Sequence, residues 1–278
     1  MEFVRILSVS QEEQFKRVCP HQYYLQRVKR IPTKEGPELR FGIACHEVLK
    51  TLHRAYRSGV WLPTDFLMSI FRSHYRPFSS RHAEFQARKL LGIYVDQLLP
   101  ELVPKLIEEQ FYLDIAPGVV CTGVIDLYST SRIIMDFKFR GKVKKDPNSL
   151  QEICYWLGIQ SILGPTETID GYWRLTFVRK SAEPGCYRLV RERLTLDMEK
   201  ARRVFYDRMR RFASDLKYAY MTKAFPKNPK TRLCHPRWCA YYDTYCDHRA
   251  YEDAEPYIPA FMEQEVDRHG KIPLDHRG

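Results

Sequence analysis

No stretch of the 278-residue sequence stays apolar for about 18 positions, the length a membrane-spanning helix requires, so no such helix is expected. The opening residues, Met1-Glu2-Phe3-Val4-Arg5, lack a basic segment followed by an apolar one, so no secretory leader is expected either. The expected location is the cytoplasm, that of a host cell if the source is viral. No GxxxxGK[ST] phosphate loop occurs, which removes any sign of a built-in ATP motor. Internal repeats and low-complexity blocks are missing as well.

The sequence does hold an ordinary apolar share, 44%, beside 28% charged residues. That suits a soluble globular chain of one large domain, or one domain with appendages, able to bury a real core. The charge is unbalanced: 45 Lys and Arg against 34 Asp and Glu leave a net +11. Such an excess favours polyanionic partners, because each cation that neutralises a phosphate releases a condensed counterion. Aromatic residues make up 13%, enough to offer base-stacking platforms beyond the core.

Ser10 with Glu13 three residues on predicts a capping box for a first helix, which Pro20 interrupts or restarts. Helices follow over 42–56, from Pro63 towards Tyr75, and over 83–99 up to Pro100, so the first third of the chain reads as helical. Strand patterns occupy 106–115, 119–128 and 132–139. A helix follows over 151–163, then strands over 168–178 and 186–194 joined by Pro184-Gly185. The segment 197–222 reads as a helix dense in arginine, 225–246 as a loop, and 251–278 as a polar, loosely ordered or partner-dependent tail.

Residues 123–142, GVIDLYSTSRIIMDFKFRGK, concentrate the chemistry. Two apolar strand runs meet at Ser129-Thr130-Ser131, and each delivers a carboxylate, Asp126 and Asp136. Side chains alternate along a strand, so Asp136 and Lys138 share one side and Phe137 points to the other. Two carboxylates and an ammonium on a hairpin are what a hard divalent cation and an activated water need. A plainer reading stays open for this stretch alone: Asp126 as a turn or edge charge, Asp136 and Lys138 as a solvated pair.

Four short signatures occur in order: Gly42-Ile43-Ala44-Cys45-His46, Gly123-Val124-Ile125-Asp126, Asp136-Phe137-Lys138 and Gln151-Glu152-Ile153-Cys154-Tyr155. As G-x-x-x-H, G-x-x-D, D-x-K and Q-x-x-x-Y on helix, strand, strand and helix, they resemble the RecB-like branch of the PD-(D/E)XK nuclease superfamily. The resemblance runs from about Ser8 to Cys246. It is nearest to the stand-alone exonucleases of CRISPR adaptation and to AddB-type iron–sulfur nuclease domains. It implies an α/β fold with a restriction-endonuclease-like core, a mixed β-sheet flanked by helices, a helical N-terminal region and a cysteine-stapled C-terminal segment. The expected layout is one domain over 1–250, with its helical part at 8–100, its core at 101–222 and its cysteine segment at 225–248. By the same resemblance, His46, Asp126, Asp136 and the Phe137 carbonyl bind the catalytic metal. Lys138 orients or helps deprotonate the attacking water, and Gln151 and Tyr155 flank the site. Carboxylates suit Mg²⁺ or Mn²⁺, and an added imidazole favours Mn²⁺. His53, on the same helix as His46, is read as a solvated histidine.

Of eight cysteines, Cys45, Cys121, Cys154 and Cys186 lie in apolar contexts and read as small buried hydrophobes. Relatives of the RecB-like branch pair one N-terminal cysteine with three near the C-terminus to hold a 4Fe–4S cluster. Here that implies Cys19 with Cys234, Cys239 and Cys246, as a structural staple. The spacing, four residues and then six between the last three, departs from the family's usual one. His235 and His248 keep zinc open, and three free thiols are the remaining alternative.

Arg140, Lys142, Lys144 and Lys145 continue from Lys138 as a basic run, and Arg202 and Arg203 begin a second. Both are candidate phosphate contacts. No groove-entering motif implies base-specific reading. The expected activity is metal-dependent phosphodiester hydrolysis by an exonuclease on single-stranded DNA or frayed ends. The expected partners are DNA and recombination, helicase or CRISPR-adaptation proteins, with no membrane. A same-fold endonuclease and a DNA-binding assembly module are the alternatives.

Overall fold

The computed structural model describes residues 5–33, 35–78, 80–140, 150–178, 188–194, 197–228, 230–231, 233–235, 238–242 and 244–246. Lys142, Lys144, Lys145, Cys186, the Pro184-Gly185 turn, His248 and the 251–278 tail lie outside them. In chain order the elements are β1 (Arg5–Leu7), α1 (Val9–Glu13), α2 (Pro20–Tyr23), α3 (Pro37–Arg57), α4 (Thr64–Tyr75), α5 (Arg81–Gln97), β2 (Pro104–Ala116), β3 (Val119–Ser129), β4 (Ile133–Arg140), α6 (Leu150–Leu163), β5 (Gly171–Val178), β6 (Arg188–Leu194) and α7 (Met198–Thr222). The sheet is mixed: β3 and β4 are antiparallel, β4 and β5 parallel, and β5 and β6 antiparallel. Helix α6 supplies the crossover that a parallel pair requires. No described helix is long and apolar enough to cross a membrane.

The chain divides into two compact units. One combines Glu35–Phe111 with Val124–Asp197; the other takes the described residues up to 33, Tyr112–Gly123, and those from Met198 onward.

In the first unit, α3 starts at Pro37, where a missing N–H costs nothing. Its buried stripe, Phe41, Ala44, Cys45, Val48, Leu49 and Leu52, recurs at helical spacing. This stripe shares one apolar core with Met68 and Phe71 of α4, Leu90 and Tyr94 of α5, and Leu127, Met135, Phe137, Leu175 and Phe177 of the strands. The strand residues in that core are odd-numbered, so the even-numbered side chains of β4 and β5 face the opposite way. Helix α6 covers that second face, with Tyr155 against Tyr172 (ring centroids 6.4 Å apart) and a buried Glu152–Arg174 ion pair. Gly158 lets α6 approach β2, because a Cβ there would stand 2.6 Å from the Phe111 ring.

In the second unit, β1 runs parallel to the start of β3, and α7 buries Phe205, Met209, Phe212 and Leu216. Phe15, Tyr23 and Phe212 form an aromatic cluster, and Arg208 makes three hydrogen bonds to the buried Glu12 carboxylate (2.7, 2.9 and 3.3 Å). The expected cap at Ser10 is not the one used. Ser8 is the last extended residue, and its hydroxyl accepts the Gln11 N–H at 3.3 Å, so Ser10 already lies inside α1. Cys19 is extended in turn; it ends the wide π-helical turn over Gln14–Val18, and its sulfur accepts the Gln22 N–H ahead of Pro20.

Candidate active site

The β3–β4 ladder pairs Leu127 with Met135 and Tyr128 with Ile134. Beyond it the Asp126 carboxylate takes the place of backbone: its Oδ2 accepts the Phe137 N–H at 2.8 Å. Asp136 is fully buried, and its Oδ1 accepts a hydrogen bond from Lys138 Nζ. Its second oxygen, Oδ2, is buried with no hydrogen-bond partner. An ionised oxygen left that way costs several kcal/mol, roughly, unless a cation or donor meets it. The expected shared side of Asp136 and Lys138 is therefore the arrangement found, and Phe137 is buried in the apolar core.

His46, on α3, turns its Nδ1 to within 3.9 Å of Asp126 Oδ1. A further carboxylate joins it: Glu108 Oε1 lies 3.5 Å from the same nitrogen. One ligand atom from each of His46, Glu108 and Asp126 falls within 4.8 Å of the others. Opposite ligands of an octahedral cation with bonds near 2.1 Å stand about 4.2 Å apart, so a small adjustment brings these three around one ion. Glu108 adopts φ +49 in the middle of β2, a conformation that costs a side-chain-bearing residue about 1–3 kcal/mol. The kink interrupts the alternation of the strand: Ile107 and Phe111 are buried, while Glu109 and Gln110 between them are exposed. Sequence reasoning missed Glu108; its one signal is an acidic pair inside a strand that should alternate.

The electrostatics suit a cation. Burial raises the Asp126 carboxyl well above the usual carboxylate range, the Asp136 charge adds to this, and His46 and Lys138 oppose it. Burial pushes His46 down, but the Glu108 hydrogen bond and the Asp126 and Glu108 charges outweigh it, so the imidazole stands above its ordinary value. A divalent ion among these groups would favour ionised carboxylates and a neutral imidazole.

On α6, Gln151 donates from Nε2 to the Tyr155 hydroxyl at 2.7 Å, one turn apart as the spacing requires. Burial raises the Tyr155 phenol well above its ordinary value, and the charges of Asp126 and Asp136 raise it further. The phenol is thus within electrostatic reach of both carboxylates. His53 corrects the expectation of a solvated histidine. It is 1% exposed, hydrogen-bonded through Nε2 to the Tyr94 hydroxyl at 2.6 Å, and burial lowers its pKa to about 3. It lies seven residues after His46, two helical turns on the same face, so the periodicity that placed His46 at the sheet also buries His53.

Arg140 is half-buried at the end of β4. Arg202 and Arg203 lie on the exposed side of α7, where Arg203 pairs with Glu199 at 3.3 Å. The four cysteines singled out from the sequence all belong to the second unit. Burial raises the Cys234 and Cys246 thiols, and each is raised further by Cys19 and Cys239, so the four sulfurs lie within electrostatic reach of one another. The Gln22 amide reaches Cys239 Sγ at 3.9 Å, and Tyr241 ties this segment to the Ile31 carbonyl at 2.9 Å.

The fold and the β3–β4 corner define a class. The model of the PD-(D/E)XK nuclease superfamily matches residues 6–247, and the chain belongs to that superfamily. Its nucleases depend on divalent metals, with which the His46, Glu108 and Asp126 group is compatible. A solved Eubacterium rectale protein named "Putative exonuclease" superposes with a TM-score of 0.55 at 11% identity, over 82% of this chain and 86% of that one. At that identity the similarity shows the fold alone. A second solved chain, SSO0001, gives a TM-score of 0.38 at 13% identity over 88% and 87%, too low to add to the assignment. No curated protein matches the sequence.

Proposed function

We propose that the chain is a metal-dependent deoxyribonuclease of the RecB-like branch, acting as an exonuclease on single-stranded DNA or frayed ends. The observation that carries this reading is the buried, unpartnered Asp136 Oδ2 beside Asp126 and Lys138. Asp136, Asp126, His46 and the Phe137 carbonyl would hold Mn²⁺ or Mg²⁺, with Glu108 as an added carboxylate. The ion would neutralise phosphate oxygens and lower the pKa of a water. Lys138, held by Asp136, supplies a fixed positive charge for the attacking oxygen and the developing phosphorane. Gln151 and Tyr155 border the substrate, and the net +11 favours a polyanion. The resemblance of the four sequence signatures to the RecB-like branch supports a role in recombination, repair or CRISPR-type spacer processing, alongside helicase or adaptation proteins.

The cysteines belong to the same reading as ligands of a structural 4Fe–4S cluster. Among the described residues no three of the four sulfurs lie within 4.8 Å of one another. One N-terminal and three C-terminal cysteines supply the four thiolates that such a cluster takes, and a zinc ion is the alternative. Iron and acid-labile sulfide in anaerobically purified protein test this; zinc in their place would reverse it.

For the activity, end-labelled linear and closed circular single-stranded DNA are digested with Mn²⁺ or Mg²⁺. The reading expects shortening of the linear strand only, slowed on the order of 10²–10³-fold in Lys138→Ala. Cutting of the circle would move the assignment to an endonuclease. A folded, metal-replete protein that cuts neither would leave a DNA-binding assembly module.

A further inference from the structure

Phe137 sits between the two motif residues of β4, yet its ring points into the helical core. His53 stacks on that ring at 5.6 Å and 21°, and Tyr94 meets it edge-on at 5.7 Å and 90°. The hydrogen bond between His53 and Tyr94 (2.6 Å) joins α3 to α5 across the back of the ring. The peptide on the other side of the same residue donates its N–H to Asp126. The Phe137 ring, its peptide and both flanking side chains therefore form one rigid linkage, gripped from behind by two buried polar groups. A core with no further task at this point would use apolar residues, since a buried polar pair gains little net stability over them.

We propose that His53 and Tyr94 are positioning residues that fix the Phe137 peptide, and through it set the spacing of Asp126, Asp136 and the Phe137 carbonyl for the metal. The inference rests on the reading of that corner as a metal site. Neither residue touches the ion; they act on it through the ring. Hydrogen-bonded groups behind metal ligands elsewhere tune affinity in this way.

The test is Mn²⁺ binding to the free protein by titration calorimetry, with no DNA present. Tyr94→Phe removes one hydroxyl, keeps the ring, and is expected to weaken Mn²⁺ binding roughly tenfold with secondary structure intact. His53→Gln, which retains a hydrogen-bonding group without the stacked ring, should weaken it too and serves if the first variant fails to fold. Leu67→Ala on α4 is the control for a general loss of core packing. It should lower the Tm while leaving Mn²⁺ affinity at the wild-type value. In turnover assays the positioning variants should regain activity at high Mn²⁺, with the KM for DNA unchanged. Wild-type affinity in both variants, or an equal loss of affinity in Leu67→Ala, overturns the proposal and leaves the metal reading standing. Absence of Mn²⁺ binding by the wild type overturns both.

Discussion

In the unit that carries Asp126 and Asp136, regular elements deliver every side chain of the site, from α3, β2, β3, β4 and α6. The four cysteines of the other unit stand on a cap and on turns; among the described residues, turn hydrogen bonds and an isolated bridge between Tyr242 and Cys246 give the segment its local order. The first site is preorganised by packing: Phe137 is fixed from both sides, and the carboxylates are buried before any ion arrives. The second rests on turns rather than on regular elements, so a ligand there would add directly to its stability. Catalytic metal sites need geometry that persists as ligands exchange, whereas structural ones can form with their ligand.

The largest effect should come from the first site. Lys138→Ala is expected to slow DNA cleavage on the order of 10²–10³-fold, about 3–4 kcal/mol in the barrier, with secondary structure retained. Equal loss of folding would blur the distinction between the two sites. Next, Cys239→Ser should remove bound iron and cost several kcal/mol, roughly, of local stability. Hydrogen exchange should then rise over 19–28 and α7 and stay low over 126–139. Uniform exchange across both units would contradict the contrast. A smaller cost, about 1–3 kcal/mol, is expected for Gly158→Ala, whose methyl must displace the Phe111 ring; thermal unfolding measures it.

The pH dependence sharpens the comparison within the first unit. His53 has its pKa lowered from 6.5 to about 3, so the unfolded chain binds the proton more tightly. Its contribution to stability is full above pH 6.5 and is lost as pH falls towards about 3. Asp126 and His46 are both raised, which gives the opposite sign: stability declines as pH rises through their elevated values. Saturating Mn²⁺ should abolish the second trend and leave the first, read as Tm against pH, and His53→Gln should flatten only the acid limb. The smallest effect belongs to Arg203→Ala, an exposed pair whose loss should change stability by less than about 1 kcal/mol. If Arg203 meets phosphate, the variant should lower the salt dependence of DNA binding by about one charge.

Much of this was legible in the chain. Helices and strands fell close to their periodic patterns, and the alternation over Asp136-Phe137-Lys138 assigned each side chain to its face correctly. Three particulars were not legible. Ser8 and Ser10 are chemically equal caps, and only the end of β1 decides between them. His53 looked polar because its partner, Tyr94, lies 41 residues away in sequence. Glu108 enters the site through a left-handed kink that no residue type announces, since most such kinks use glycine.

The most direct test of the β3–β4 corner is Mn²⁺ binding followed by electron paramagnetic resonance in wild type and Asp136→Asn. The account predicts a bound, motionally restricted ion in the wild type, and a loss of that signal in the variant while the fold is retained. Equal binding by the two proteins, or none by a folded wild type, would contradict it.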